Sequence, residues 1–97
     1  MTLKLKIAER VRKRARFSQD EFAQLLGVSR QTYSHWLGGR RTPRPKHRAR
    51  LINLLSGLAR ALREEQWPPP GVRRLSAEEK KQKLFAILES ETHAWGE

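Results

Sequence analysis

Residues 18–37 read SQDEFAQLLGVSRQTYSHWL and contain the signals that decide how this chain folds. Ser18 and Glu21 form a capping box, in which the serine side chain covers a helix amide and the carboxylate returns to the serine amide. Gly27 ends that helix because glycine adopts the left-handed backbone at low cost, and Ser29 is a good cap for a second helix. We therefore predict two helices separated by a very short turn, from about Gln19 to Leu26 and from about Arg30 to Leu37.

Helical periodicity continues on both sides of this pair. Upstream, apolar residues recur every three or four positions among lysines and arginines as far as Phe17. Residues 40–45 contain two prolines and are predicted to form a loop. From Pro45, which suits a first helical turn, a strongly amphipathic helix is predicted to about Gln66, with Gly57 as a candidate break. The pattern indicates an all-α fold.

The last third of the chain has a different pattern. Trp67-Pro68-Pro69-Pro70-Gly71 cannot be helical and is predicted to be a stiff extended linker. Ser76 and Glu79 form a second capping box, which opens a last helix with a narrow apolar stripe. These features divide the chain into a domain over residues 1–66, a Pro-rich linker over 67–75 and a C-terminal helix over 76–97.

The formal net charge of +11 is distributed unevenly along the chain. Residues 1–50 hold 14 lysines and arginines against three acidic residues, whereas residues 51–97 hold seven of each kind. A surface that concentrates cations in this way attracts a polyanion, because neutralising phosphates releases condensed counterions. The charge distribution therefore favours a nucleic acid as the partner over a merely solubilising surface.

Composition also disfavours several classes of function. The chain has no cysteine, so a disulfide framework, a thiolate metal site and a thiol nucleophile are all unavailable. His35, His47 and His93 are too dispersed for a recognisable metal site, and no glycine-rich phosphate loop or nucleophile motif is present. No apolar run approaches the roughly 20 residues that cross a bilayer, and no signal-peptide core follows the basic start. We expect a cytoplasmic protein that is not an enzyme and uses no cofactor or metal.

The residues of the helix pair and the loop after it are similar to a known family. The matching residues are Gln19, Ala23, Gly27, Val28, Ser29, Tyr33 and Trp36, followed by Gly39-Arg40-Arg41-Thr42-Pro43. Together they resemble the helix-turn-helix of the Cro/CI-repressor-like (XRE) family, over about residues 3–62. The resemblance implies a lambda-repressor-like helix-turn-helix bundle of four to five helices, here with an additional C-terminal helix. It also implies that the partner is double-stranded DNA.

In such a fold the second helix of the pair enters the major groove, with its exposed positions at the base edges. Arg30 can form two hydrogen bonds to guanine, and Gln31 two to adenine. The resemblance marks Arg30, Gln31 and His35 as base-reading residues, and Ser34 shares their exposed face. It gives Gln19, Ser29, Thr32 and Arg40 as phosphate contacts, to which charge adds Arg41, Arg44 and Lys46. Trp36 is expected in the core because it lies in phase with the other apolar residues.

One position departs from the family pattern. Many members carry a glutamate where Leu37 stands, and that glutamate can pair with an arginine on the first helix. Here the glutamate is missing, so we expect Arg12 to be free for solvent or phosphate. Apolar packing in place of an ion pair need not reduce stability.

A single helix-turn-helix touches only about four to six bases, so useful specificity usually comes from a two-fold dimer on half-sites about 34–36 Å apart. The nearly neutral C-terminal part is the expected contact, because aromatic and aliphatic groups are enriched in interface cores. The candidate interface residues are Trp67, Leu84, Phe85, Leu88 and Trp95. The alternatives are that the last helix folds back on its own domain or is exchanged between protomers.

These features predict a transcriptional repressor or autoregulator that binds a (pseudo)palindromic operator as a homodimer, in a bacterial, phage or mobile-element context. One alternative is an antitoxin or adaptor, which binds DNA and also a protein partner through its C-terminal helix. Another is charge-driven binding of any RNA or DNA, which predicts equal affinity for scrambled duplexes, whereas specific recognition predicts a large difference.

Overall fold

The structure, a computed structural model, describes the backbone of residues 5–91 and the side chains of residues 5–89. Within that range the fold is all-α, as predicted, and contains no strand. The first four helices form the helix-turn-helix bundle, and a fifth helix follows a short 3₁₀ turn. The elements are α1 (Leu5–Arg14), α2 (Gln19–Leu26), α3 (Arg30–Leu37), α4 (Pro45–Arg63), the 3₁₀ turn (Val72–Arg74) and α5 (Ala77–Glu91).

Local capping fixes the bounds of α2 and α3, which agree with the prediction. The Glu21 amide donates to Ser18 Oγ at 3.0 Å, and the Ser18 amide donates to Glu21 Oε1 at 2.9 Å. Gly27 has a φ of +77°, and its amide donates to the Gln24 carbonyl at 3.1 Å. Ser29 Oγ then accepts the Thr32 amide at 3.1 Å and starts α3. The turn between the helices is therefore only three residues long.

The core lies between α1, α2, α3 and α4. Phe22 and Ala23 of α2 are fully buried, as are Tyr33 of α3 and Leu51 and Leu54 of α4. The rings of Phe22 and Tyr33 meet edge to face with centroids 5.5 Å apart, an arrangement that aromatic pairs prefer. This packing fixes the orientation of α3 relative to α2 and so determines which face of α3 is presented outward.

Helix α4 runs without a break through Gly57, so the suggested interruption there is wrong. The glycine instead permits a close approach of α5. A Cβ added at Gly57 would lie 2.8 Å from Leu88 Cδ2, which is closer than real Cβ contacts. The absence of a side chain at Gly57 therefore allows α5 to pack directly on α4.

The Pro-rich segment is not the extended linker that its composition predicts. Trp67 is only 2% exposed, and its ring stacks on Phe17 with centroids 5.5 Å apart and an interplanar angle of 2°. Its indole Nε1 also donates to the Ala15 carbonyl at 2.8 Å. Val72 is buried as well, at the start of the 3₁₀ turn. Because the Trp67 side chain contacts Phe17 and Ala15, the segment is held against the first domain.

The last helix folds back on its own chain, which was the alternative to a dimer contact. Leu84 and Leu88 of α5 are buried, Leu88 lies against Gly57 of α4, and Phe85 is half-buried. Trp67, Leu84 and Leu88 therefore belong to the core of a single chain, and this arrangement leaves none of them available for the predicted dimer contact. Trp95 lies outside the described residues.

Candidate nucleic-acid interface

The outward face of α3 brings the predicted base-reading residues together. Arg30, Gln31 and Ser34 are exposed and His35 is half-buried. The same concave surface, with a volume of about 470 Å³, is lined by Arg30, Gln31, Ser34, His35, Gly38 and Arg40. Its side chains offer guanidinium, amide, hydroxyl and imidazole groups, which are the groups that hydrogen-bond to base edges in a major groove.

The opposite face of α3 holds this surface in place. Tyr33 is fully buried and Trp36 is 4% exposed, with ring centroids 6.3 Å apart in an edge-to-face arrangement. The Trp36 ring also lies 5.7 Å from that of His47 on α4. The prediction that Trp36 is a core residue is confirmed. Since α3 is anchored along this face, its polar side chains project from a rigid support.

The predicted phosphate contacts fall into two groups. One group lies at the amino ends of α2 and α3. There Ser29 Oγ donates to Thr32 Oγ1 at 3.0 Å, and Gln19 is half-buried. The other group lies in and just after the loop between α3 and α4, where the side chains are exposed cations: Arg40, Arg41, Arg44 and Lys46. Thr32 lies among the exposed residues of α3, and Arg40 lines the concave surface itself. The other members precede or follow α3 in the sequence.

Glu9 of α1 is the centre of a hydrogen-bond network that joins α1 to α2 and α3. Its carboxylate accepts two bonds of 2.8 Å from Arg12, one of 2.8 Å from the Tyr33 hydroxyl and one of 3.3 Å from Gln19 Nε2. The Gln19 side chain is therefore tied to α1, which fixes its position at the start of α2. Sequence reasoning missed this network, although the spacing of Glu9 and Arg12 on one helical face indicates an ion pair.

The expectation that Arg12 is free is wrong. Besides its two bonds to Glu9, the Arg12 guanidinium donates to the Phe17 carbonyl at 2.7 Å, and its side chain is only 11% exposed. Glu9, one turn earlier on the same helix, takes the place of the glutamate that is missing at Leu37. The carboxylate thus comes from α1 itself.

The network shifts the pKa of its members. The Arg12 guanidinium is the main cause that lowers the pKa of Glu9 from 4.5 to about 2, against burial, which alone would raise it. The Tyr33 hydroxyl, through its bond to Glu9, lowers the Glu9 pKa further. Burial, followed by the hydrogen bond to Glu9, raises the pKa of Tyr33 well above its usual value. The carboxylate is therefore ionised and the phenol neutral at pH 7.

A Glu9→Gln variant tests the contribution of this charge to stability. A pKa that is lower in the folded chain stabilises it above the unfolded value of 4.5, and this stabilisation is lost as the pH falls towards about 2. We expect the variant to unfold at lower urea concentration than the wild type at pH 7 and at nearly the same concentration near pH 2. A difference in urea midpoint that is equal at both pH values would contradict a lowered pKa of Glu9 in the folded chain.

Neither a metal site nor a membrane-spanning helix is found in the part of the chain that the structure describes. No group of three histidine, cysteine, aspartate or glutamate side chains is placed to hold a metal ion there. His93 lies outside the described residues. No helix in that part is both long enough and apolar enough to cross a membrane.

Comparison with known protein families gives one match. A family model described as a helix-turn-helix domain matches residues 8–66, which is more than half of the chain and includes α2, α3 and α4. Comparisons with curated proteins and with solved structures gave no match. The family match agrees with the resemblance to Cro/CI-repressor-like (XRE) proteins. The chain therefore belongs to the helix-turn-helix domain family.

Proposed function

We propose that this chain binds double-stranded DNA sequence-specifically and acts as a cytoplasmic transcriptional repressor or autoregulator, in a bacterial, phage or mobile-element context. The observation that carries the proposal is the outward face of α3, where four polar side chains share one concave surface. Arg30 reads guanine through O6 and N7, and Gln31 reads adenine through N6 and N7. Ser34 and His35 provide further hydrogen bonds to base edges.

The flanking cations position the protein on the duplex. Arg40, Arg41, Arg44 and Lys46 are exposed around the loop that follows α3, next to the concave surface along the chain. Contacts from such residues to phosphates fix register and orientation without reading sequence. Each phosphate that they neutralise releases counterions, so affinity falls with rising salt concentration.

The proposed assembly is a homodimer on a (pseudo)palindromic operator. One copy of α3 reads too few bases for useful specificity, and two copies related by a two-fold axis double the site. The contact between protomers uses surfaces other than Trp67, Leu84 and Leu88, unless α5 is exchanged so that Leu84 and Leu88 pack on the partner protomer. The alternative of a protein partner on α5 is less supported, because Leu84 and Leu88 are already covered.

Selection of bound duplexes from a random DNA library with the full chain tests this proposal. We expect enrichment of one two-fold symmetric sequence, with about 10 base pairs between half-site centres. Sedimentation of the complex should then show two protomers per duplex. Enrichment of a single unrepeated half-site, with one protomer bound, would contradict the dimer. Failure to enrich any sequence would contradict sequence-specific binding.

A further inference from the structure

Among the residues that the structure describes, Lys80 of α5 is the one charged residue that is buried, with 7% of its surface exposed. Its Nζ donates to Glu21 Oε1 at 2.7 Å and to the Arg16 carbonyl at 2.8 Å. The same Nζ lies 5.6 Å from the centroid of the Phe17 ring. A buried ammonium is costly unless it is paired and hydrogen-bonded, and both conditions are met here.

The partner of Lys80 is also the carboxylate that caps α2. Glu21 Oε1 accepts the Ser18 amide at 2.9 Å as well as the Lys80 ammonium. Burial alone would raise the pKa of Glu21, but Lys80 and Ser18 together outweigh it and lower that pKa. Glu21 is therefore ionised at neutral pH, and its negative charge lies two residues after Gln19, a proposed phosphate contact.

We propose that Lys80 is a positioning residue for DNA binding, which neutralises Glu21 so that the amino end of α2 can accept a backbone phosphate at Gln19. The inference rests on the proposed function and deepens it. The amino end of a helix attracts an anion through its exposed amides and its dipole. An unpaired carboxylate in the first turn repels the same anion at short range. Of the two first-turn carboxylates, Asp20 and Glu21, Lys80 neutralises the one that also caps the helix, and the capping hydrogen bond is retained.

Helix α5 is thereby coupled to DNA binding without touching the duplex. With α5 packed on α4, its ammonium pairs with Glu21, and the amino end of α2 is more attractive to phosphate than it is without that pair. With α5 displaced, Glu21 keeps its charge and loses its partner, so affinity falls. Any change that releases α5 from the bundle thus lowers the affinity of the protein for DNA.

Four variants of the full chain test this coupling. Lys80→Met removes the charge and keeps an apolar stem over Phe17, Glu21→Gln removes the carboxylate charge, and a third variant combines both changes. Lys83→Met, an exposed lysine on the same helix, is the matched control for loss of one positive charge. Affinity is measured on the duplex recovered by selection and on a random-sequence duplex. The salt concentration is about 0.1 M, at which charges about 10 Å apart still interact. Urea unfolding of each variant is measured in parallel.

We expect Lys80→Met to weaken binding of both duplexes by about three- to tenfold and Lys83→Met by less than about twofold. Adding Glu21→Gln to Lys80→Met should restore affinity to within about twofold of the wild type. It should not restore the urea midpoint, because the hydrogen bonds of the buried ammonium are still missing. A purely structural role of Lys80 would instead give no rescue of affinity. If Lys80→Met is unfolded, Lys80→Gln replaces it, since glutamine is uncharged and still offers a donor to the Arg16 carbonyl.

Two outcomes would overturn the inference: equal losses from Lys80→Met and Lys83→Met, or a double variant that binds no tighter than Lys80→Met. If the wild type does not prefer the selected duplex, the proposed sequence-specific function fails instead. The charge coupling is then still measured on the random-sequence duplex, because phosphate contacts do not depend on base sequence.

Discussion

Replacing Gln31 with alanine is expected to weaken binding of the preferred duplex by roughly five- to 150-fold, with little change for unrelated duplexes. The loss follows from a bidentate amide contact to adenine, which contributes about 1–3 kcal/mol of discrimination. Arg30→Ala should cause a similar loss for the preferred duplex, and a smaller one for unrelated duplexes because it also removes a positive charge. Both residues are exposed and alanine is a good helix former, so neither change should lower stability.

The matched control is Gln24→Ala, which removes the same kind of exposed side chain from α2. We expect it to leave affinity and sequence preference unchanged. The clearest readout is a competition between the preferred duplex and duplexes altered at one base pair. Gln31→Ala should lose its preference at one position of each half-site. Uniform weakening across all duplexes by Gln31→Ala, or an equal effect of Gln24→Ala, would contradict base reading by α3.

Replacing Trp67 with alanine is expected to destabilise the fold by about 3–5 kcal/mol. The change removes a ring that is stacked on Phe17 and leaves the Ala15 carbonyl without its indole donor. For a domain of this size the loss corresponds to a fall in Tm of roughly 12–40 °C. Circular dichroism during heating measures it directly.

Trp67→Phe separates the two parts of this effect. Phenylalanine keeps an aromatic ring against Phe17 but has no donor for the Ala15 carbonyl, so we expect an intermediate loss, about 1–3 kcal/mol from the unpaired carbonyl plus a small packing term. If the free energy of unfolding of Trp67→Ala lies within about 1 kcal/mol of the wild-type value, the segment after α4 behaves as the detachable linker that its proline content suggests. The packing of Trp67 on Ala15 and Phe17 would then be wrong.

The bounds of α2 and α3 could be predicted from the sequence because local interactions determine them. Ser18 and Glu21 satisfy each other within one helical turn, Gly27 supplies the left-handed residue, and Ser29 caps the next helix. The exposed face of α3 follows from helical periodicity once those bounds are known. For this reason Arg30 and Gln31 could be placed on one surface before any tertiary contact was known.

The C-terminal part could not be predicted in the same way, because its structure depends on contacts between residues far apart in the sequence. Proline content describes the local backbone preference of residues 67–71 and carries no information about where the Trp67 ring is buried. The Trp67 hydrogen bond spans 52 residues, and the Lys80–Glu21 pair spans 59. Neither has a local signature. An interpretation based on the residue types of the C-terminal part alone therefore assigned core side chains to a dimer contact.

The candidate site contains both kinds of feature, those that local sequence predicts and those that depend on long-range contacts. The four residues on the outward face of α3 could be identified from resemblance and periodicity, whereas the anchoring of Gln19 by Glu9 could not. The missing glutamate at Leu37 suggested an unpaired Arg12, because the family pattern was considered without the alternative carboxylate on α1. In this chain the ion pair of Arg12 forms within one helix, and the same carboxylate accepts the Tyr33 hydroxyl.

The most direct test of sequence-specific DNA binding is a titration of the full chain against the selected duplex and a scrambled duplex of the same length and composition, over a range of salt concentrations. We predict that the selected duplex binds at least about a thousandfold more tightly at physiological salt, with affinity for both duplexes falling as salt rises. Equal affinities for the two duplexes at every salt concentration would contradict the account and leave only a basic protein that binds nucleic acids by charge.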